Sequence, residues 1–159
     1  MHPNGVLLQR LFTALNQHDH TTMASCYHPE ATFRDIAFDL TNSNAIQDMW
    51  HMICKCTDIE ATFEIIDVDY LDGRVKLVDD YTYKDTRRRV RNVIDCRFRF
   101  QDGLIIEHRD SCDACVWAAM AFGCGLRGFV AARSRLARSW VANKKLKKFI
   151  QSHYECESA

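Results

Sequence analysis

The spacing of apolar residues changes at about residue 58. Before that point apolar side chains recur every three or four positions, which is the period of an amphipathic helix. The pattern predicts a helix over about residues 4–17, a short second helix that ends near Pro29, and a third helix that opens at Ser43. Residues 31–35 predict a short strand between the last two helices.

From residue 59 to 112 the apolar period is two, which is typical of β-strands. Asp72-Gly73 and Asp102-Gly103 are hairpin signals, and Lys84 to Thr86 predict a turn between them. The predicted strands cover about residues 59–70, 73–84, 89–101 and 104–112. Helices followed by a run of hairpins indicate an α+β fold, with a curved antiparallel sheet that carries the helices on one face.

A shift in the first long strand predicts a β-bulge. Its apolar positions run through Ala61, Phe63 and Ile65 and then move to Ile66, Val68 and Tyr70. One extra residue in a strand produces such a shift and bends the sheet.

Side chains alternate across a strand, so the apolar positions define an inner face of the sheet. Several polar residues interrupt this face: Asp35, Asp79, Asn92, His108 and Asp110. An ionised carboxylate on an apolar face is costly unless it is paired or solvated. A small water-containing pocket would explain these positions, and burial there would bring carboxyl pKa values toward neutrality, as general acids and bases require.

We predict Asp35, His108 and Asp110 as the catalytic residues of this pocket. The last strand is predicted to place Leu104 and Ile106 on the inner face together with His108 and Asp110. The predicted ligand-binding residues share the inner face or the helix stripe opposite it: Trp50, Asp79, Tyr81, Asn92, Cys96 and Phe98. The alternative is structural, because polar residues near strand ends often reach solvent and aromatic residues usually belong to the core.

The net charge of zero hides an asymmetry between the two parts of the chain. Residues 1–113 carry 13 Lys and Arg against 19 Asp and Glu, whereas residues 114–159 carry 8 against 2. The chain therefore has an acidic body and a basic tail.

The eight cysteines are scattered, and no secretory signal precedes them. We therefore expect free thiols in a reducing compartment, the cytoplasm. Cys112, Cys115 and Cys124 follow His108 at a spacing that superficially fits metal or redox chemistry. Zinc would need a second clear ligand pair, so we predict no metal and no organic cofactor.

The basic tail predicts helices but no transmembrane segment, because its apolar run at residues 116–122 is too short. Residues 129–150 predict a basic amphipathic helix, whose apolar stripe includes Leu136, Trp140, Leu146 and Ile150. This helix could pack on the acidic body or a partner subunit, lie on an anionic membrane, or contact nucleic acid. Packing is favoured, and nucleic acid is not expected, because the body supplies the opposite charge and a helix that buries its apolar stripe needs no further ligand.

Three segments in this order carry a resemblance to a known family: residues 8–16, Tyr27–Asp35 and Phe98–Asp110. Over roughly residues 5–115 the chain resembles the nuclear-transport-factor-like, ketosteroid-isomerase-like superfamily, and within it the SnoaL-like proteins of polyketide cyclase type. The resemblance implies a cone-shaped, mixed sheet wrapped around the N-terminal helices, and a homodimer through the convex face. Residues 1–115 would form this domain, and residues 116–159 a helical extension packed on it or on the dimer partner.

The resemblance also implies roles for single residues. Asp35 falls where ketosteroid isomerases keep their general base, and His108 and Asp110 match polar positions of related cyclases. The oxyanion donors of the isomerases align with Leu11 and Cys96, which cannot replace them, so steroid isomerisation is not expected. Epoxide hydrolases of this fold use an Asp-Arg-Asp arrangement, and the alternation places no arginine on the inner face.

These observations predict a small-molecule pocket protein: a cofactor-independent isomerase, cyclase or hydratase-like enzyme that uses aspartate acid–base chemistry on a small apolar substrate. The alternative is a non-catalytic ligand-binding or dimeric scaffold domain. In a third interpretation the basic helix itself carries the function.

Overall fold

The computed structural model describes residues 2–157, and only the backbone of the last four of these. This part of the chain contains six helices and one six-stranded sheet. The helices are α1 Pro3–Asn16, α2 His20–Ala24, α3 Ser43–Cys56, α4 Ala114–Phe122, α5 Leu126–Arg133 and α6 Arg135–Glu157. The strands are β1 Tyr27–Arg34, β2 Asp39–Leu40, β3 Glu60–Val68, β4 Asp72–Tyr83, β5 Arg88–Gln101 and β6 Leu104–Ser111.

The strands form one open mixed sheet in the order β2-β1-β6-β5-β4-β3. All neighbours are antiparallel except β1 and β6, which run parallel. A bulge in β3 between Ile65 and Asp67 and another irregularity opposite Phe100 bend the sheet, as extra residues in a ladder do. The predicted α+β fold with a C-terminal helical extension is confirmed.

The first three helices cover the inner face of the sheet. In α1, which begins with Pro3, the buried stripe includes Leu8, Leu11 and Phe12. The Phe12 ring contacts Phe63 of β3 and Phe98 of β5, with ring centroids 5.0 and 6.2 Å apart. The helix stripe and the inner strand positions thus share one core.

The short second helix was predicted to run to Pro29, which is wrong. It ends at Ala24, and β1 begins at Tyr27. The amide of Ile105 in β6 donates to the carbonyl of Cys26, and Tyr27 pairs with Ile105. Pairing with a distant strand therefore overrides the local helical pattern.

The predicted hairpin turn at Asp72-Gly73 is also wrong by about three residues. The Asp69 carboxylate accepts from the amides of Leu71 and Asp72, so the turn lies before β4. Gly73 lies inside the strand, where an added Cβ would come within 3.0 Å of the Phe100 ring. The close approach of the Phe100 ring therefore explains why position 73 is a glycine. The Asp102-Gly103 turn is confirmed, because both residues have positive φ angles, 53° and 76°.

Two predicted inner-face assignments need correction. In β3 the bulge is confirmed, but Ile66 and Tyr70 are 50% and 78% exposed. In β6 the buried residue is Ile105 rather than Leu104 or Ile106. The irregularity opposite Phe100 shifts the alternation after Ile105, so that His108 and Asp110 nevertheless lie on the inner side.

The tail does not form one amphipathic helix over residues 129–150. α5 ends at Arg133, and the Ser134 hydroxyl accepts from the Ala137 amide at the start of α6. The predicted apolar stripe is divided: Leu136 and Trp140 are exposed, whereas Leu146 and Ile150 pack on the core together with Ala142. Within residues 2–157 we find no helix that is both long and apolar enough to cross a membrane.

Candidate functional site

A chain of hydrogen bonds crosses the inner side of the sheet at His108. This side chain is 1% exposed. Its Nδ1 lies 2.8 Å from the Tyr27 hydroxyl, which is 3.1 Å from the Trp50 indole nitrogen, and its Nε2 lies 2.8 Å from Asp110 Oδ1. The rings of Phe33 and Phe98 enclose the imidazole at centroid distances of 4.9 and 4.3 Å.

The donors and acceptors that each side chain offers indicate the directions of these hydrogen bonds. The Trp50 nitrogen can only donate, so the Tyr27 oxygen accepts from it. The Tyr27 proton is then available to His108 Nδ1, and the Nε2 proton points to Asp110. In this arrangement His108 accepts from Tyr27 at Nδ1 and donates from Nε2 to Asp110 Oδ1.

Asp110 is the electrostatic centre of the site. It lies opposite Cys96 in the β5–β6 ladder, and the Cys96 thiol is hydrogen-bonded to it. Burial, followed by the charge of Asp110, raises the pKa of Cys96 well above its usual range. Burial is likewise the main cause of the raised pKa values of Asp35 and Asp79, and the Asp110 charge adds to both.

The Asp79 carboxyl group, on β4, has one oxygen without a hydrogen-bond partner among the described residues. The side chain is buried, and this oxygen is Oδ1. Burial, then repulsion from Asp110 and Asp80, raises its pKa to about 8. Asp79 is therefore protonated at neutral pH and can donate a proton.

Asp35 lies in the loop between β1 and β2. Its Oδ1 accepts from the amides of Ala37 and Phe38, which stabilise the charged form. Burial outweighs these bonds and raises its pKa to about 6. Asp35 can accept or release a proton near neutral pH.

Two arginines of the tail, which sequence reasoning missed, hold this loop. Arg135 donates to the carbonyls of Asp35 and Phe38, at 2.6 and 3.2 Å. Arg138 donates to the carbonyl of Ile36 at 2.9 Å. No strand carries these guanidinium groups to the site; they come from the first turn of α6, where inner-face alternation gives no signal.

We expect an Arg135→Gln variant to have a higher Asp35 pKa than the unmodified protein. The Arg135 charge stabilises the Asp35 carboxylate, so its removal favours the protonated form. Titration of the carboxyl carbons by NMR measures the change. Arg133→Gln, which alters an exposed side chain two residues away, is the control and should leave the Asp35 titration unchanged.

A Tyr27→Phe variant should lose stability. Without the hydroxyl, the buried Trp50 N–H and His108 Nδ1 both lack a partner, at a cost of about 1–3 kcal/mol for each unsatisfied group. Denaturant unfolding measures the loss. The matched Tyr70→Phe change, at a side chain that is 78% exposed, should cost nothing measurable, and equal losses in the two variants would contradict the assigned network.

Tyr27 lies within the predicted second helix, so it is not among the predicted site residues. Only Ala31 and Phe33 alternate as in a strand; Tyr27 lies four residues before Ala31, a spacing that also fits a helix, so the local pattern does not identify it. Of the predicted ligand-binding residues, Trp50, Cys96 and Phe98 meet at His108.

The other predicted ligand-binding residues lie further along the inner face. The Tyr81 hydroxyl accepts from the Trp117 indole of α4 at 2.8 Å. Asn92 is paired with Asp79 in the ladder and hydrogen-bonds the Cys112 thiol. The tail therefore contacts the site from two sides, through Trp117 and through Arg135.

Two surface grooves lie away from this site. One, of about 580 Å³, is lined by residues that include Lys76, Val93 and Ser111. The other, of about 630 Å³, is lined by residues that include Arg99 and Glu107. None of the predicted site residues lines either groove, so neither gives access to Asp110.

Among the described residues, the group that could hold a metal ion is Cys96, His108 and Asp110, whose ligand atoms lie within 4.8 Å of one another. Metal binding would require loss of the Cys96 proton and of the His108 Nε2 proton. The raised pKa of Cys96 opposes the first, and the hydrogen bond to Asp110 holds the second. Binding of a metal ion at this set would therefore release both protons.

Comparison with known proteins identifies the class. Residues 8–108 match the model of the SnoaL-like domain, and the chain belongs to this family. The helices α4, α5 and α6 lie outside the matched range. No curated protein matches the chain.

Solved structures share the fold at low sequence identity. An LEH-like epoxide hydrolase of M. tuberculosis is 18% identical, with a TM-score of 0.65 over 81% of this chain and 93% of that one. A Xanthomonas campestris protein, provisionally described as a polyketide cyclase, is 12% identical, with a TM-score of 0.66 over 75% and 96%. A Bacillus subtilis protein, provisionally described as an isomerase, is 16% identical, with a TM-score of 0.65 over 77% and 94%.

Proposed function

We propose that the protein is a cofactor-independent enzyme of isomerase, cyclase or hydratase type, which transfers protons on a small, largely apolar carbonyl or hydroxyl compound. One observation carries the proposal. Three carboxyl groups on the inner side of the sheet interact electrostatically but hold protons differently: Asp110 accepts from His108, Asp79 has a pKa of about 8, and Asp35 has one of about 6. Carboxyl groups that differ in this way in their hold on a proton supply a base and an acid at the same pH.

Each residue then has a role. Asp110, oriented by His108, would take a proton from the carbon next to a carbonyl group, so that a C–H bond breaks and an enol forms. Asp79 would supply the proton that the carbonyl oxygen gains, and its unpartnered Oδ1 marks unused hydrogen-bonding capacity on the inner face. Asp35 would return protons between substrate and solvent, which suits its pKa of about 6.

The family supports proton-transfer chemistry without fixing a substrate. Relatives of the same fold are named for isomerisation, polyketide cyclisation and epoxide hydrolysis. General acid–base catalysis can serve all three reactions. The inner strand positions of this chain carry no arginine, so an Asp-Arg-Asp arrangement would need a guanidinium from the tail.

Proton exchange tests the proposal without knowledge of the product. The purified protein is incubated in D₂O with a panel of small enolisable ketones and hydroxyketones, and NMR follows loss of the α-proton signals. We expect exchange above the buffer background for at least one compound. No exchange across the panel at any pH, together with ordinary measured pKa values for Asp35 and Asp79, would overturn the proposal.

That outcome would favour the second candidate, a non-catalytic ligand-binding or dimeric scaffold domain. The outer sheet face offers a surface for a homodimer, since Ile66 and Val93 there are 50% and 54% exposed. Ion pairs such as Arg91 with Asp80 cover much of the remaining outer face. Sedimentation equilibrium of the protein and of a Val93→Ser variant measures whether this face associates.

We also propose a reducing compartment, the cytoplasm, as the location. Seven cysteines in the described part of the chain are free thiols, two of them exposed. Exposed free thiols persist where glutathione and thioredoxin keep them reduced.

A further inference from the structure

The apolar residues of the tail are exposed to an unusual degree. Leu126, Phe129 and Leu136 are 79%, 57% and 84% exposed, and Trp140 is 65% exposed. Burying such side chains is normally worth more than leaving them in water. Packing on the body, the use expected for this helix, does not cover them.

These side chains lie on defined faces of two consecutive helices. In α5, Leu126, Phe129, Val130 and Arg133 recur at three- and four-residue spacing, so they share one side of the helix. In α6, Leu136, Trp140, Lys144 and Lys147 share a side in the same way. We call these eight residues the tail patch; all of them are exposed.

The opposite face of α6 holds the helix on the body. Leu146 is buried, Arg135 and Arg138 donate to the loop at Asp35, and Lys145 pairs with Asp85 at 2.6 Å. The helix is thus anchored through one face, and its exposed apolar residues are presented outward on the other.

The charges around the patch define its partner. Between residues 114 and 154 the sequence has eight Lys and Arg and no Asp or Glu. The Arg133 guanidinium lies 4.8 Å from the Phe129 ring centroid, and the Lys144 ammonium lies 4.9 Å from that of Trp140. An apolar surface with aromatic residues next to cations fits the interface of an anionic membrane, where hydrocarbon chains adjoin negatively charged headgroups.

We propose that the tail patch docks this protein on an anionic lipid membrane. Leu136, Trp140, Phe129 and Leu126 enter the headgroup region, while Arg133, Lys144 and Lys147 meet the phosphate and carboxylate groups. The helices lie on the membrane and do not cross it. Self-association of two copies of the chain through the tail patch fits less well, because it would bring the cations of the two patches together.

Co-sedimentation with vesicles tests the docking. The full chain is mixed at low ionic strength with vesicles of phosphatidylcholine alone or of phosphatidylcholine with phosphatidylserine. We expect sedimentation with the anionic vesicles only, weakened by added salt because the charge contribution is screened. Absence of sedimentation with the anionic vesicles, or equal sedimentation with both kinds, would overturn the proposal.

Variants locate the contact. A Leu136→Ser, Trp140→Ser double variant should lose roughly tenfold or more of its vesicle affinity. An Ile66→Ser, Val93→Ser double variant, which makes the same kind of change on the outer sheet face, should bind as the unmodified protein does. Equal binding by the two variants would contradict the assignment to the tail patch.

Trp140 also gives a spectroscopic readout, since Trp50 is buried and Trp117 is half-buried. Its emission should shift to shorter wavelength on anionic vesicles, and this shift should vanish in a Trp140→Phe variant that still sediments. Salt-sensitive binding of RNA in place of vesicles, or a dimer that the Leu136→Ser, Trp140→Ser change dissociates without any vesicle binding, would overturn the lipid assignment.

Discussion

An Asp110→Asn variant should lose α-proton exchange by roughly 10²- to 10⁴-fold, the range that a positioned general base contributes. Asparagine has nearly the shape of aspartate, and its amide oxygen can still accept from His108 Nε2. The hydrogen bonds to His108, Tyr27 and Trp50 are therefore kept, and the variant should fold. It loses the negative charge and the ability to take a proton, which are the properties the proposed base requires.

The charge of Asp110 should also be visible at its neighbours. It raises the pKa values of Asp35 and Asp79, so both values should fall in the Asp110→Asn variant. NMR titration of the two carboxyl carbons measures this, and the exchange assay described above measures activity.

Asp95→Asn is the matched control. Asp95 precedes Cys96 on β5, points to the outer face and pairs with Arg74 there. The control should exchange substrate protons at the rate of the unmodified protein. If Asp110→Asn kept full exchange, Asp110 would not be the base, whatever the result for the control.

The four hairpin-connected strands and most of their inner-face assignment could be predicted from the sequence, because turn signals and alternation are local properties of the chain. Asp79, Cys96, Phe98 and His108 lie on the predicted face and are buried. The errors arose where the chain adds one residue. At Ile105 and Ile66 a bulge changes which neighbour faces the core, and the sequence gives no signal for which of two adjacent apolar residues turns inward.

The contacts between distant segments could not be predicted. Tyr27 joins the site only because β1 pairs in parallel with β6, a connection that local patterns do not encode. Arg135 reaches Asp35 across 100 residues of sequence, from a segment outside the matched domain. Alternation along the strands could not reveal the role of Arg135, because the position of this arginine depends on how α6 packs on the rest of the protein.

The tail shows the same limit in another form. Its basic and apolar composition was visible in the sequence, but composition does not say which face of a helix is buried. Leu146 and Trp140 both belong to the predicted apolar stripe, yet Leu146 is 5% exposed and Trp140 is 65% exposed. Anchoring by Arg135 and Arg138 selects the buried face, and that choice leaves the apolar patch outward.

An Asp79→Asn variant should be more stable than the unmodified protein at pH 8 and about equally stable at pH 4. Burial raises the pKa of Asp79 from 3.8 to about 8 in the folded protein. Between these values the folded state holds a proton that the unfolded state has released, so stability falls as pH rises through this window. At about 1.4 kcal/mol per pH unit the penalty approaches roughly 5 kcal/mol at pH 8, and asparagine, which does not ionise, avoids it.

Asp80→Asn is the control for this change. Asp80 follows Asp79 on β4, but it lies on the outer face and pairs with Arg91 at 2.8 Å. Denaturant unfolding at pH 4 and pH 8 gives the stability difference between each variant and the unmodified protein. For Asp79→Asn the difference should grow with pH; for Asp80→Asn it should be much smaller, because that change removes only one of the charges that raise the Asp79 pKa and also breaks the ion pair with Arg91. A pH-independent difference for Asp79→Asn would contradict the protonated state assigned to Asp79. Because asparagine cannot deliver a proton, the stabilised variant should also lose proton exchange, so stability and activity would move in opposite directions at this one buried carboxyl group.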